Sequence, residues 1–323
     1  MSRMLLLDQR SNPTSNQVEG FCIVRQVTQK SNVKGSDYLD FLLCDAGGEV
    51  NAKLWDYNIE QHGHYEADTI VKVRATVTLW KDTEQLKIDR IRNLKDDEEV
   101  DMQSLIPCAP LPGQEMYDAL YSCADSFADN DLKMLTQYLL RENKDDLLRW
   151  PAALKLHHAM RSGLLYHTHT MLSAAKALCG IYKEIYPKLN PDLVYAGVIL
   201  HDLAKVPELQ VGTLGLATSY STAGQLLGHI SMGVAMVERA AAELMIDESI
   251  KVLVQHILLS HHGLAEYGSP RPPMFPEAEI VSEVDLLDSR LFEMFEALGG
   301  VTEGEFSERQ WALDNRQIYN HGL

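Results

Sequence analysis

Several features that mark membrane-bound and secreted proteins are missing from this sequence. No apolar run approaches the roughly 20 residues needed to span a bilayer, and the apolar stretch at residues 1–7 gives way to polar residues too early for a secretory signal. The five cysteines are widely spaced and include no Cys-x-x-Cys pair, which argues against a disulfide framework or a zinc ribbon. We therefore expect a cytoplasmic protein with reduced thiols and no membrane partner.

The chain also lacks an excess of positive charge. Its formal net charge is −17 over 323 residues, which argues against a general affinity for polyanions. Residues 1–95 contain 13 basic and 13 acidic residues, so the whole negative excess lies beyond residue 95. Any contact with nucleic acid is therefore expected in the N-terminal part, and the acidic part would need a bound cation to accept a phosphate.

Two different structural patterns divide the chain. Residues 1–95 alternate apolar and polar residues in five predicted strands, which are typical of a small Greek-key barrel of the OB type. Residues 96–113 are acidic and then proline-rich, which predicts a linker. Helical spacing of apolar residues begins at Gln114 and predicts an all-α domain over residues 114–300, followed by a polar tail at residues 301–323.

Aromatic and basic residues in the predicted barrel are candidates for nucleic-acid contact, because OB barrels stack bases on aromatic rings beside Lys and Arg. The candidates are Tyr38, Phe41, Lys53, Trp55, Trp80 and Lys81, with Lys72 and Arg74 as further cations. Some of these aromatics must fill the barrel, and small barrels also serve as plain interaction modules. Nucleic-acid binding and a protein-interaction role both remain open at this point.

The most unusual stretch is the apolar run at residues 194–200, which ends in His201 and Asp202, with Lys205 three positions further on. Burying an ionised carboxylate is costly unless it is paired or bound to a metal. Neutral imidazole and carboxylate are ordinary ligands of divalent metal ions. A single core His hydrogen-bonded to Asp is the simpler interpretation. The rest of the sequence is needed to distinguish it from a metal site.

Four further apolar segments carry residues of the same kind, which favours the metal. The full set is His167, His201, Asp202, His229, His261, His262 and Asp285. A common metal site satisfies these costly polar groups together, whereas separate core positions would not. Seven side chains exceed the needs of one ion, so we predict two divalent ions that share Asp202. One ion would be held by His167, His201 and Asp285, and the other by His229, His261 and His262.

A metal pair of this type can activate water and clamp the oxygens of a phosphoryl transition state. We predict Asp202 and Lys205 as catalytic residues, with Lys205 neutralising a phosphate oxygen or the leaving group, although a solvated Lys at a helix end is the alternative. The predicted substrate-binding residues are Lys205, Tyr220, Arg161, Arg271 and Arg290. Tyr220 lies in a loop rich in Gly, Ser and Thr, where it can stack on a base or merely form part of a connection.

The set His167, His201-Asp202 with Lys205, and Asp285 resembles the HD-domain metal-dependent phosphohydrolase superfamily, and the additional histidines resemble its two-metal branch. Residues 163–168, 227–230 and 259–263, with 268–270, resemble the YhaM-type 3′→5′ exoribonucleases, in which an OB domain precedes the HD domain. The resemblance extends from about residue 18 to residue 300. It implies stepwise removal of 3′-terminal nucleotides from single-stranded RNA, with DNA as a further substrate. It also implies two divalent ions, Mn or Co by preference, with Fe, Mg and Zn as alternatives.

Two other functions are compatible with these residues. An HD phosphohydrolase can act on small or cyclic nucleotides, with the barrel as a scaffold. A nucleic-acid-binding protein with a purely structural metal is the other alternative, although surplus ligands and an adjacent lysine argue against it. A homo-oligomer is compatible with each of the three functions.

Overall fold

The computed structural model describes residues 5–8, 16–33, 35–80, 83–95, 97–155 and 157–323. The chain forms two compact units. The barrel unit comprises Met1–Cys108 with Gly212–Leu214, and the helical unit comprises Ala109–Val211 with Gly215–Leu323. The domain limits expected at residues 95, 113 and 300 stay predictions. Within the described part of the chain, no helix is long and apolar enough to cross a membrane.

Five strands of the described residues close into a barrel in the order β1-β2-β3-β5-β4. Their bounds are β1 Gln17–Ser31, β2 Asp37–Asp45, β3 Gly48–Leu54, β4 Thr69–Trp80 and β5 Thr83–Asn93, with the short helix α1 at Ile59–His62 between β3 and β4. Neighbouring strands are antiparallel except for β3 and β5, whose parallel pairing completes the closure. An OB-type barrel followed by a helical region is the predicted fold class, which is confirmed.

Strand β2 shows how alternation fills the barrel. Leu39, Phe41 and Leu43 are buried and join the core, while Asp40 and Leu42 between them are partly exposed. Successive side chains on a strand point to opposite faces. Phe41 lies two positions from both Leu39 and Leu43, so it points into the barrel with them. Phe41 is only 1% exposed and packs edge-on against Tyr65 at 5.7 Å between ring centroids. The prediction that Phe41 contacts nucleic acid is therefore wrong.

The helical unit contains the remaining helices, which bury one apolar core. Their bounds are α2 Gly113–Asp125, α3 Asn130–Glu142, α4 Lys144–Leu147, α5 Gly163–Ile185, α6 Pro191–Leu200, α7 Lys205–Glu208, α8 Thr222–Leu244, α9 Glu248–Ser260 and α10 Pro276–Leu298. The predicted all-α region also contains a short ribbon of two antiparallel strands, β6 (Leu209–Val211) and β7 (Ala217–Tyr220). Strand β7 ends at Tyr220, which was expected to lie in a loop.

Helix α6 lies at the centre of the helical unit because it is apolar on all sides. All its residues from Leu193 to Leu200 except Tyr195 are buried. The helix begins after Asn190, whose side-chain oxygen caps it, and Pro191 occupies the first turn, where a missing N–H costs nothing. At Gly197, an added Cβ would lie 2.8 Å from Ile257 of α9 and 3.1 Å from Val281 of α10. Glycine therefore lets three helices approach closely just before His201.

The residues after α10 fold back on themselves as a hairpin, although they were expected to be a tail. The Gly304 amide donates to the carbonyl of Asn320 at 2.7 Å, and the Ser307 amide donates to the carbonyl of Ile318 at 2.8 Å. A 3₁₀ turn at Trp311–Leu313 forms the tip. We call residues 304–320 the C-terminal hairpin.

Candidate metal centre

Five segments of the helical unit bring the seven predicted ligands together. His167 comes from α5, His201 and Asp202 from the end of α6, and Asp285 from α10. The remaining three are His229 in α8 and His261 with His262 directly after α9. The five segments are separate elements of the chain, so the cluster depends on tertiary packing.

The first group lies between α5, α6 and α10. His167 Nε2 is 3.3 Å from His201 Nε2 and 3.2 Å from Asp285 Oδ1. His201 Nε2 is also 3.3 Å from Asp202 Oδ2. Both histidines are fully buried, so water does not solvate their ring nitrogens. The group has the donor set of a divalent-metal site.

The second group lies between α8 and α9. Ligand atoms of His229, His261 and His262 all lie within 4.8 Å of one another. Asp202 Oδ1 is 3.4 Å from His229 Nε2 and 3.7 Å from His261 Nε2. The two carboxylate oxygens of Asp202 therefore face different groups, with Oδ2 toward His201 and Oδ1 toward His229 and His261.

Backbone carbonyls fix the orientation of three of the rings. Nδ1 of His201 lies 2.8 Å from the carbonyl of Val198, and Nδ1 of His261 lies 2.7 Å from the carbonyl of Leu258. His262 Nδ1 is 2.7 Å from the Tyr267 carbonyl. Because a carbonyl can only accept, each Nδ1 donates, which leaves Nε2 as a lone pair directed into the cluster.

Carboxylates hold the other two rings, and the sequence reasoning missed both of them. Asp288 accepts from His167 Nδ1 at 2.8 Å and from His158 Nε2 at 2.9 Å. Glu208 accepts from His229 Nδ1 at 3.1 Å and from the His229 amide at 2.8 Å. Gly228, with φ of 71°, interrupts α8 just before His229. Asp288 and Glu208 each follow a predicted site residue by three positions, and that helical spacing is the signal that could have found them.

Unpaired buried atoms test whether a metal fits. Among the residues that the structure describes, Asp202 Oδ1, His229 Nε2 and His261 Nε2 are buried without a hydrogen-bond partner. The Nε2 atoms of His167 and His201 also face each other at 3.3 Å. Leaving buried polar atoms unpaired costs about 1–3 kcal/mol each, and a divalent cation between them removes that cost. The residues therefore fit a metal site.

The lowered pKa values of His261 and His262 agree with this fit. Burial, reinforced by His262 and His201, holds the pKa of His261 well below its ordinary value, so the ring is neutral as a ligand requires. Burial also lowers the pKa of His262. Burial opposes the charged form of His167, but Asp285 and Asp288 outweigh it and raise its pKa to about 9. A proton and a metal ion compete for this Nε2.

A cleft of about 790 Å³ opens beside the cluster, and among its lining residues are Asp202, Lys205, His229, His261, His262 and Asp285. Of the predicted substrate contacts, Lys205, Tyr220 and Arg290 line it, whereas the described lining residues do not include Arg161 or Arg271. Lys205 Nζ lies 2.6 Å from Asp202 Oδ2. Burial disfavours its charge, but Asp202 outweighs burial and the pKa of Lys205 is raised. It is therefore a buried cation and not a solvated one.

The residues of the barrel unit that were predicted to contact nucleic acid do not all lie in one cluster. Tyr38 and Trp55 pack with ring centroids 4.7 Å apart, and Lys53 Nζ lies 5.3 and 5.5 Å from the two rings. Trp80 is 65% exposed at the end of β4. Lys81 lies outside the described residues. The further cations Lys72 and Arg74 both lie against Glu19, at 3.9 and 2.8 Å.

Residues 164–290 match the family model described as HD domain. The match covers less than half of the chain and includes all seven predicted ligands and Asp288. An HD domain that carries this His and Asp cluster indicates a metal-dependent hydrolase with a divalent-metal site.

Solved structures similar to part of the chain include a replication protein A heterotrimer bound to ssDNA. It is 13% identical, with 28% of this chain and 75% of that chain covered and a TM-score of 0.22. Another is the second OB-fold domain of replication protein A from Methanococcus maripaludis. It is 15% identical, with 27% and 88% covered and a TM-score of 0.20.

Proposed function

We propose that this protein is a 3′→5′ exoribonuclease that uses two divalent ions, Mn²⁺ by preference, to hydrolyse single-stranded RNA from its 3′ end, with single-stranded DNA as a further substrate. The observation that carries the proposal is the position of Asp202, whose two oxygens face two separate histidine groups beside an open cleft. The five widely spaced cysteines, with no Cys-x-x-Cys pair, favour a reducing cytoplasmic setting.

Each group of ligands would hold one ion. His167, His201 and Asp285 would bind the first, and His229, His261 and His262 the second, with Asp202 shared by both. When bound, such a pair supplies activation of water and neutralisation of charge on the phosphoryl oxygens. Asp288 and Glu208 keep His167 and His229 in the orientation and protonation state that ligation needs.

Lys205 places a positive charge beside the predicted ligands in an otherwise acidic helical unit. Its ammonium group is held against Asp202 and lines the cleft, so it lies where a phosphodiester would approach. A cation that is largely shielded from water stabilises a nearby anion more than an exposed one does. We assign Lys205 the neutralisation of a phosphate oxygen or the leaving group.

The barrel would hold the strand that is being degraded. Tyr38, Lys53 and Trp55 form a cluster on β2 and the end of β3, which is the ligand face of OB barrels. Stacking of a base on such rings contributes about 1–3 kcal/mol per base without regard to sequence. This supports binding of a single strand of any sequence.

Cleavage of RNA labelled at its 5′ end tests the proposal. With Mn²⁺ we expect a ladder that shortens from the 3′ end, and we expect Asp202→Asn to abolish it while circular dichroism shows an intact fold. Circular RNA of the same sequence should stay uncut because it has no 3′ end. Cleavage of the circle, or no shortening at any metal concentration, would contradict the exonuclease assignment.

A phosphohydrolase of small or cyclic nucleotides is the second candidate. The cleft favours it, because about 790 Å³ is the size of a small-molecule pocket and all its described lining residues lie in the helical unit. This candidate predicts rapid turnover of free or cyclic nucleotides and no effect of Tyr38→Ala or Trp55→Ala. The exonuclease predicts weaker RNA binding in both variants.

A further inference from the structure

The C-terminal hairpin forms one edge of the cleft that contains the metal ligands. The residues of its tip, Trp311 to Asp314, line the same cleft as Asp202 and His262. These residues lie beyond the HD match, which ends at residue 290. The cleft is therefore completed by a segment that the HD domain does not include.

The tip is held firmly against α10. Leu313 is 1% exposed, and its carbonyl accepts from Arg316 Nε at 2.9 Å. The Gln310 amide donates to the Arg316 carbonyl at 2.9 Å, which closes the turn. Asp314 lies 3.9 Å from Arg290 of α10 and 3.7 Å from Arg316. The hairpin thus presents its tip in a defined position.

Trp311 projects from this fixed tip, and its side chain is not used by the fold. It is 72% exposed, whereas its neighbour Leu313 supplies the packing. Ligand-binding clefts are lined mostly by apolar and aromatic side chains, with a few polar groups that fix the orientation of the ligand. Tyr220 and Tyr267 are also exposed and line the same cleft. The cleft therefore combines phosphate-directed groups at its base with aromatic faces at its rim.

We propose that Trp311 is the stacking residue for the nucleobase at the 3′ end of the substrate. This inference rests on the proposed function, because it requires a nucleotide whose phosphate lies at the metal ligands. A 3′-terminal nucleotide has one base, one sugar and the scissile phosphate on its 5′ side. Stacking of that base on Trp311 would orient the phosphate without selecting a particular base, since every base has an aromatic face.

The test compares two RNA substrates of equal length. One ends in an ordinary nucleotide, and in the other the terminal ribose bears hydrogen in place of the base. We expect Trp311→Ala to lower kcat/KM on ordinary RNA by about 10- to 100-fold, and Trp311→Phe to restore it to within about threefold. On the base-less RNA, wild type and Trp311→Ala should be equally slow in the first cleavage step.

Phe306→Ala is the matched control. Phe306 is an exposed aromatic residue of the same hairpin and is not among the described residues that line the cleft. We expect Phe306→Ala to cleave both substrates as wild type does. A loss in Phe306→Ala as large as in Trp311→Ala, or an equal loss in Trp311→Ala on both substrates, would assign the effect to folding of the hairpin and overturn the inference.

The inference and the proposed function fail in different ways. If wild type shortens RNA from the 3′ end and Trp311→Ala is unchanged, the inference alone is overturned. If wild type with Mn²⁺ leaves RNA intact, both are overturned. The assay on wild type is therefore done before the variants are compared.

Discussion

A histidine that binds a metal through one ring nitrogen almost always donates its other N–H to a partner, which fixes the orientation of the ring. Three of the five clustered histidines use a carbonyl of their own chain segment for this purpose. His167 and His229 instead use carboxylates from distant positions, Asp288 and Glu208. These two partners are side chains and can be replaced by mutation, unlike a backbone carbonyl. They therefore test directly whether the partner of the second ring nitrogen matters for metal binding.

Asp288→Asn should weaken Mn²⁺ binding by about 10- to 100-fold, because the amide no longer stabilises His167 as a ligand and leaves His158 with a poorer acceptor. Isothermal titration with Mn²⁺ measures the change. Glu296→Gln, which alters an exposed carboxylate of the same helix, should bind as wild type does. Equal affinity in Asp288→Asn and wild type would show that the carboxylate has no part in metal binding.

At the scale of the residue, the sequence predicts a site best where polar or charged residues lie in an otherwise apolar segment. His201 and Asp202 follow a fully apolar run, so their unusual position is visible in the sequence. Asp288 is less visible, because α10 carries several acidic residues and only the three-residue spacing from Asp285 distinguishes it. Phe41 was misassigned because the alternation of β2, which depends on Leu39 and Leu43, was not applied to it.

At the scale of the element, the position of α6 against α9 and α10 decides where His201 and Asp202 lie. Gly197 allows this approach, because a Cβ there would overlap Ile257 of α9. Gly180 of α5 is a helical glycine in open space, where an added Cβ meets nothing within 4 Å. The two glycines form a natural pair of test sites.

Gly197→Ala should lower the free energy of unfolding by about 1–3 kcal/mol, because overpacking forces the helices apart. Gly180→Ala should raise it by about 0.5–1 kcal/mol, since alanine is the better helix former. Urea unfolding followed by circular dichroism measures both. Equal effects of the two substitutions would show that the close approach at Gly197 does not contribute to the free energy of unfolding.

The elements that the sequence did not reveal are those held by few apolar residues. The ribbon of β6 and β7 pairs only a few residues on each strand. The C-terminal hairpin depends on backbone hydrogen bonds between residues 304 and 320 and on the single anchor Leu313. Such pairing leaves little periodic pattern. The barrel strands and long helices bury many side chains and were therefore visible.

At the scale of the whole molecule, the proposed ion binding would be coupled to folding. The predicted ligands come from five segments between residues 167 and 285, so the two ions together would link α5, α6, α8, α9 and α10. An ion that binds only the folded protein stabilises it in proportion to the logarithm of its concentration. The negative net charge of the chain adds long-range attraction for cations.

Mn²⁺ at about 100 times its dissociation constant should raise the melting temperature of the helical unit by roughly 5–10 °C relative to protein in EDTA. Differential scanning calorimetry measures the shift. Asp202→Asn, which removes the shared ligand, should show a much smaller shift. An equal rise in Asp202→Asn and wild type would mean that the ion stabilises the protein elsewhere.

The spread of the ligands along the chain also matters while the protein is being made. Synthesis proceeds from the N terminus, and the barrel can fold before the helical unit is complete. Asp285 is the last ligand to leave the ribosome, and Trp311 follows it. Under the proposed function, a growing chain would therefore bind RNA before it is able to cleave it, and its own messenger would be spared until translation has almost ended.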